Sequence, residues 1–563
     1  MSADDHPGFR LADRGRIDRR RRLGFSFDGV RYQGFAGDTL ASALLAHGVH
    51  LVGRSFKYHR PRGILTAGVE EPNALVQVGR GARTEPNARA TVLELVDGLE
   101  ASSQNRWPSL QVDLGAISGL AAPLVSAGFY YKTFMWPRAF WKRVYEGAIR
   151  RTAGLGRAPR APDPDRYEHR HAHCDVLVAG GGPAGLMAAL AAASAGARVV
   201  LAEQDIALGG RLLDEPSDHP TSIWLDEVQG RLRGLPELRV LTRTQVTGYY
   251  DHNYLTLLER VADHPGAAAP TPLPRQRLWK VRAKQVVLAT GALERPLVFP
   301  ANDRPGVMLA GAIRTYVERH AVLPGRRAVI FTNNDSAYAT GLTLAGAGAE
   351  VRMVDLRKTV DGPLPGRARA AGVRIHAHAA LTATEGHQRV ATVEIRELAE
   401  DGAGRLLDRA PVDLVGVSGG WVPTLHLHSQ ARGRLRYDDD RGIFLPAAAE
   451  QANRSAGACN GAFGLRACLE EGREAGRAAA EDAGFTGELP ALPDFPAAGE
   501  EAPLRPLFVV PGALRRRAKA FVDFQNDVTA ADLAQALAEG YRSIEHVKRY
   551  TTTGMGTDQG KTS

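Results

Sequence analysis

The chain has 563 residues, more than one ordinary domain needs, and its 44% hydrophobic and 24% charged content is that of a globular protein with sizeable cores. Collagen-like, mucin-like and tail-like chains are thereby excluded. The formal charge of +9 tolerates a polyanion, but the densest basic run, residues 14–22, reads as a solvated lead-in to an alternating stretch or as a surface toward an acidic subunit or flavin phosphate, so nucleic acid is not expected.

Within the first twenty-five residues there is no apolar core of a signal sequence, and the cysteines, Cys174, Cys459 and Cys468, are too few and too widely spaced to staple the fold. A reducing, cytoplasmic setting is the expectation. Residues 14–100 predict a β-grasp domain of ferredoxin-like type. Phe25, Phe27, Val30 and Tyr32 alternate around the hairpin signal Asp28-Gly29, and Leu40, Ala43, Leu44 and His47 mark a helix that starts at Asp38 and ends at Gly48. Residues 101–170 predict a connector. Its aromatic and basic piece, 129–143, is expected to pack between domains, and 157–166 is a linker rich in Pro and Arg.

From Cys174 the pattern changes to alternating strand and helix, the mark of a parallel sheet with crossover helices. We expect a dinucleotide-binding domain of the Rossmann, disulfide-reductase-like type over 171–490, with a first unit at 174–300, an inserted second unit at 301–410 and a return segment at 411–490. Residues 176–197 carry no charge and approach the length of a membrane span, but they are mostly Ala and Gly around Pro183. They read as strand, glycine turn and helix. In that turn, Gly180, Gly181, Gly182, Pro183, Ala184 and Gly185 spell the dinucleotide fingerprint: Gly180 for the tight bend, Gly182 for approach to a pyrophosphate, Gly185 for close helix packing. The next strand ends on Glu203, placed to take ribose hydroxyls and to repel a 2′-phosphate, which favours NAD or FAD over NADP. Gly209 and Gly210 form a second glycine pair, and Thr290 and Gly291 lie in an Ala-Thr-Gly strand end of the kind that passes the nucleotide again.

The second unit is expected to be degenerate, because Thr332, Asn334 and Ala337 stand where the three glycines belong, although Asp355 fills the acidic position. Cys459 and Cys468 are nine residues apart, unsuited to disulfide-reductase chemistry, and no Cys and His cluster has metal-ligand spacing. His169, His171 and His173 read as a solvated entry to the strand. Residues 506–563 predict a small helical module: Thr529 and Asp532 form a capping box, Leu533 and Leu537 share a face, and Gly540 closes the helix. The tail 551–562 nearly spells a P-loop, but Met555 replaces its first glycine and no strand precedes it, so an ATPase is not expected. Its N–H groups, hydroxyls and Lys561 suit a flavin phosphate brought by a partner.

Taken together, residues 37–46, 53–63, the Gly180 turn, 460–469, 521–529 and 546–561 resemble the alpha subunit of heterotetrameric sarcosine oxidase. The resemblance implies oxidative demethylation of sarcosine to glycine, a one-carbon unit and hydrogen peroxide. NAD would be bound in this subunit, with Asn460 and Gly461 among its contacts, and FMN shared at the interface with a beta subunit. That beta subunit would carry FAD and meet the amine substrate, with gamma and delta subunits completing the complex. The family's alpha subunit continues past the segment matching Lys561 into a folate-binding aminomethyltransferase-like domain, so the chain is expected to represent the N-terminal portion without it. Related β-grasp and helical modules hold [2Fe-2S] clusters. Here Thr66, Glu71 and Ala74 in the first module, and Asp523, Gln525, Asp558 and Ser563 in the second, stand where cysteines would be, so both are expected to be cluster-free. No catalytic residue is identified. Two alternatives stay open: an FAD-containing subunit of a related amine, proline or opine dehydrogenase, and a non-catalytic subunit stabilised by its nucleotide.

Overall fold

The computed structural model describes residues 8–152, 154–263, 272–399, 404–495, 502–514 and 519–563. Residues 1–7 of the N-terminal segment, and small parts of the predicted insert and C-terminal module, lie outside the described residues. The chain forms two compact units, one of residues 1–163, 294–420 and 501–563, the other of 164–293 and 421–500.

In the first unit the β-grasp sheet has the strand order Val30–Ala36, Asp18–Phe27, Leu99–Ser103, Leu75–Val78, Glu85–Arg89. Asp28 and Gly29 both take positive φ (49° and 82°), the geometry that matches the twist of a two-residue hairpin. Every residue of the helix Leu40–Ala46 is buried, and Thr39 rather than Asp38 caps it, in a box with Ser42. Asp38 instead accepts both guanidinium nitrogens of Arg10, and Arg14 pairs with Glu318 at 2.7 Å. The basic run is partly structural and partly solvated: its first arginine is an ion-pair partner, from Asp18 it is strand, and Arg20, Arg21 and Arg22 stay exposed. The sheet also runs past the expected boundary at 100, because Leu99–Ser103 pairs with both Asp18–Phe27 and Leu75–Val78.

The aromatic piece does not pack as expected. Phe129 is buried and Tyr131 stacks on Tyr550, but Trp136 stays 83% exposed and Met135 58%. The turns Phe129–Lys132 and Trp141–Tyr145 are each too short to bury a face of their own. The insert builds a parallel sheet in the order Val307–Leu309, Leu414–Ser418, Arg327–Thr332, Glu350–Asp355, Arg374–Ala377. Leu414–Ser418 thus belongs to the insert, not to the return segment, and the unit boundary falls near 420. The C-terminal module keeps its capping box, Thr529 with Asp532, and Gly540 follows its first helix at φ 96°.

The second unit is centred on the strand Tyr167–Ala179, flanked by Val199–Ala202 and Leu238–Leu241 on one side and by Gln276–Leu288, Tyr254–Arg260 and Thr244–Tyr250 on the other. The strand starts seven residues before Cys174, since it pairs with Gln276–Leu288 along their whole lengths. His169, His171 and His173 lie on its exposed half. The helix Pro183–Ser194 packs against Leu465–Asp482 so closely that a Cβ at Gly472 would sit 2.2 Å from the Ala184 carbonyl oxygen. All three cysteines are buried and unpaired, and burial pushes the thiols of Cys174 and Cys468 up to about 12, so neither is ionised at neutral pH. Among the described residues no helix is long and apolar enough to cross a membrane.

Candidate nucleotide-binding site

The turn between Tyr167–Ala179 and Pro183–Ser194 is built by backbone constraint. Gly180 has φ 109°, and a Cβ there would lie 2.2 Å from the Ala289 carbonyl oxygen. At Gly185 a Cβ would lie 1.8 Å from the Gly180 carbonyl oxygen, so the helix can start only with glycine at that position. Gly182 is different in kind. It is the N-cap at φ −76°, a value any residue adopts, and a Cβ there meets no atom within 4 Å. The helix therefore presents its first N–H groups, with Pro183 at the first position and Ala184 buried behind it, to open space that a pyrophosphate can enter.

The other expected residues of this unit close on the same turn. Glu203 is buried and accepts from the N–H of Gly181 (2.6 Å) and of Asp205 (2.8 Å). Gly209 donates its N–H to the Gly181 carbonyl at 2.8 Å, and a Cβ on Gly210 would come within 3.1 Å of the Gly182 Cα. The Ala289 N–H bonds the Ala179 carbonyl at the strand end, and Thr290 donates its hydroxyl to the Thr424 carbonyl at 2.8 Å beside Gly291. Asn460 ends the turn Gly457–Asn460, Gly461 follows at φ 90°, and Glu471 ties that turn down by accepting from the Gly457 N–H (2.9 Å) and the Asn460 amide (3.2 Å). Glu471 went unnoticed in the sequence, where it is one acid in a charged helix. Lys561 is not part of this cluster: it lies in the other unit, where its ammonium donates to the Asp558 carbonyl at 3.0 Å.

The insert's corresponding turn is filled by its own side chains. The Thr332 hydroxyl accepts the Asn334 N–H at 3.1 Å, and Asn334 donates to the hydroxyl and carbonyl of Ser418. Asp355 is held by Arg357 (2.7 Å) and the Tyr338 hydroxyl (2.9 Å). The backbone at 502–505 closes over the loop: Ala502 donates to Asp335 and Arg505 to the Asn333 carbonyl.

Two further loops are built around buried carboxylates and an amide. The Glu71 carboxylate, fully buried, accepts four backbone N–H groups, from Leu65 (3.0 Å), Thr66 (2.7 Å), Asn73 (2.8 Å) and Ala74 (2.9 Å). In the C-terminal module Asp523 accepts the N–H groups of Asn526 and Gly554, Gln525 the N–H and hydroxyl of Thr557, and Asp558 the hydroxyl of Thr562. Burial raises the Asp523 carboxyl to about 6, against those two N–H donors.

Residues 20–106 match the family described as a 2Fe-2S iron-sulfur cluster binding domain, 175–260 the FAD dependent oxidoreductases, and 517–563 the sarcosine oxidase A3 domain. The chain is 47% identical to the sarcosine oxidase alpha subunit of Rhizobium meliloti, over 99% of this chain and 55% of that one. With that of a Corynebacterium species it shares 38% over 97% of its own length and 53% of the relative's. It thus spans about half the length of these relatives. It is also 24% identical to an opine oxidase subunit of Agrobacterium tumefaciens, over 69% of this chain and 83% of that one. The fold is shared with L-proline dehydrogenase from P. horikoshii (TM-score 0.63, 18% identity, 97% of this chain and 90% of that chain). The chain thus carries a segment similar to 2Fe-2S ferredoxin-like domains and a Rossmann-type fold.

Proposed function

We propose that the chain acts as an alpha subunit of a heterotetrameric sarcosine oxidase, holding NAD at the Gly180 turn and enclosing FMN against a beta subunit. The observation that carries this reading is the similarity to sarcosine oxidase alpha subunits along nearly the whole chain, joined to a turn with an open helix N-terminus. In this reading Gly181, Gly182 and the first turn of Pro183–Ser194 bind the pyrophosphate, Glu203 orients a ribose, and Gly209, Gly210, Thr290, Gly291, Asn460 and Gly461 shape the walls. Bound NAD supplies a nicotinamide ring. The thiols of this chain are not nucleophiles, and amine oxidation belongs to the partner subunits. The insert, closed by Thr332, Asn334 and 502–505, binds no dinucleotide. Neither the Glu71 loop nor the C-terminal module fits an iron-sulfur cluster, since neither offers a thiolate and both are satisfied by internal hydrogen bonds. Lys561 is assigned to the flavin phosphate; unchanged FMN content in the complex after Lys561→Met would remove that assignment.

A second reading, FAD in the Gly180 turn of a dehydrogenase subunit, is favoured by the match of 175–260 to FAD dependent oxidoreductases. Denaturing the purified chain and separating the released nucleotide decides between them. NAD without a flavin band supports the first reading, and FAD overturns it. Gly182→Val is expected to abolish nucleotide retention while the apo fold persists, because its side chain projects only into the ligand's space. With the nucleotide gone, the unfolding free energy should fall by the binding contribution, ~2.7 kcal/mol for a ligand at a hundred times its dissociation constant, and the melting point with it. Gly185→Val, which collides with the Gly180 carbonyl, should by contrast impair folding itself.

A further inference from the structure

The segment 53–63 is prominent in the sequence, yet the nucleotide turn gives it no role. It lines a cavity of about 350 Å³ within the first unit, together with residues of the insert and Lys519. That volume lies near the lower end of small-ligand sites, ~300–1,000 Å³. The charged lining is one-sided: Arg54, Arg60, Arg304 and Lys519 face a single carboxylate, Asp303, which is already bound by Arg60 (2.6 and 2.7 Å) and by Arg62.

The remaining cations are fixed by neutral groups. Arg54 donates to the carbonyls of Leu110 (2.9 Å) and His59 (3.2 Å), and Arg304 to those of Thr384 (3.2 Å) and Gly386. Lys519 holds its ammonium 3.9 Å from the centre of the Tyr58 ring and, among the described residues, meets no carboxylate at ion-pair distance. Desolvation lowers the pKa of both Arg304 and Lys519, and the Arg60 charge adds to that, outweighing the carboxylates of Asp303 and Glu385 at Arg304 and of Asp532 and Asp527 at Lys519. Cations held in place by carbonyls and a ring face, with too few anions among them, form a preorganised anion site. Two forked guanidiniums beside an ammonium suit the three oxygens of a dianionic phosphate better than a single carboxylate. The rest of the cavity is more than a phosphate group needs, and Tyr58 offers it a ring wall.

We propose that this cavity, built by residues 54–61 with Asp303, Arg304 and Lys519, binds the phosphate of a small phosphate monoester. The site is independent of the Gly180 turn and does not rest on the reading given above. The test is isothermal titration of the full chain with inorganic phosphate, ribose 5-phosphate and ribose. Wild type should bind both phosphates and not ribose, with affinity falling as salt rises. Lys519→Gln and Arg54→Gln should each weaken phosphate binding at least tenfold. Lys358→Gln, the same charge change at an exposed position outside the cavity, should leave it unchanged. Lys519→Gln breaks no hydrogen bond among the described residues and should keep the wild-type melting temperature, so a binding loss is not a folding loss. Tighter binding of ribose 5-phosphate than of phosphate supports the ester, and equal binding points to free phosphate as the source of the same chemistry. Absence of binding by either phosphate, or binding untouched by both cavity variants, overturns the proposal.

Discussion

Replacing Arg62 with methionine is expected to destabilise the first unit by about 3–5 kcal/mol, the usual cost of removing one partner from a buried ion pair. Arg62 is 2% exposed and bridges Asp303 in the insert and Asp527 in the C-terminal module, while its guanidinium lies 4.7 Å over the Phe521 ring. Three segments distant in sequence therefore meet on one side chain. Methionine keeps most of the packing volume and removes the charge, leaving Asp303 with Arg60 and Asp527 with the N–H groups of Lys57 and Tyr58. Adding Asp527→Asn should recover part of the loss, since the amide oxygen still accepts an N–H and no buried charge is stranded. Urea unfolding of the two single variants and the double variant measures that coupling. The pH dependence has a definite sign. Burial raises the Asp303 carboxyl, but Arg62 and Arg60 outweigh it and hold the group below its ordinary value. Its contribution to stability is thus present above the unfolded-state pKa and is lost as pH falls through the folded one. The gap between wild type and Arg62→Met should accordingly narrow in acid.

The geometry of the Gly180 turn is legible in the sequence because it is local: Gly180, Gly182 and Gly185 lie within six residues, between a strand and a helix with plain periodicity. The Asp28-Gly29 hairpin and the Thr529 capping box were legible for the same reason. What failed was assignment between equivalent elements. Leu414–Ser418 is a fully buried strand whose residues carry no mark of which parallel sheet they join, so the return was placed too early. The half of Tyr167–Ala179 that holds the alternating histidines was missed because polar residues on an exposed face resemble a solvated approach; only the partner strand Gln276–Leu288 makes it a strand. The prominence of 53–63 was visible, but its use was not. Arg62 finds its partners 241 and 465 residues away, and no local pattern records separations of that size.

Glu71→Ala is the second large effect. It would leave four inward-facing backbone N–H groups without an acceptor, and even with partial relaxation the loss should reach about 3 kcal/mol or more, at ~1–3 kcal/mol for each buried unsatisfied group. Glu71→Gln separates charge from geometry. Its amide oxygen can satisfy one pair of donors, from Leu65 and Thr66 or from Asn73 and Ala74, while its amide nitrogen confronts the other pair, so an intermediate loss is expected. Burial pushes the Glu71 carboxyl up to about 7, against the four N–H groups that favour the anion. A group with a raised folded-state pKa binds more protons folded than unfolded between its two pKa values. Its stabilising contribution is therefore complete below the unfolded-state value, ~4.3, and declines as pH rises toward 7. Glutamine cannot titrate, so the difference between wild type and Glu71→Gln should be larger at pH 5 than at pH 8. Chemical denaturation at those two pH values measures it. A difference that instead grew toward pH 8 would mean that the four N–H groups dominate, and that the loop is built around a permanent anion.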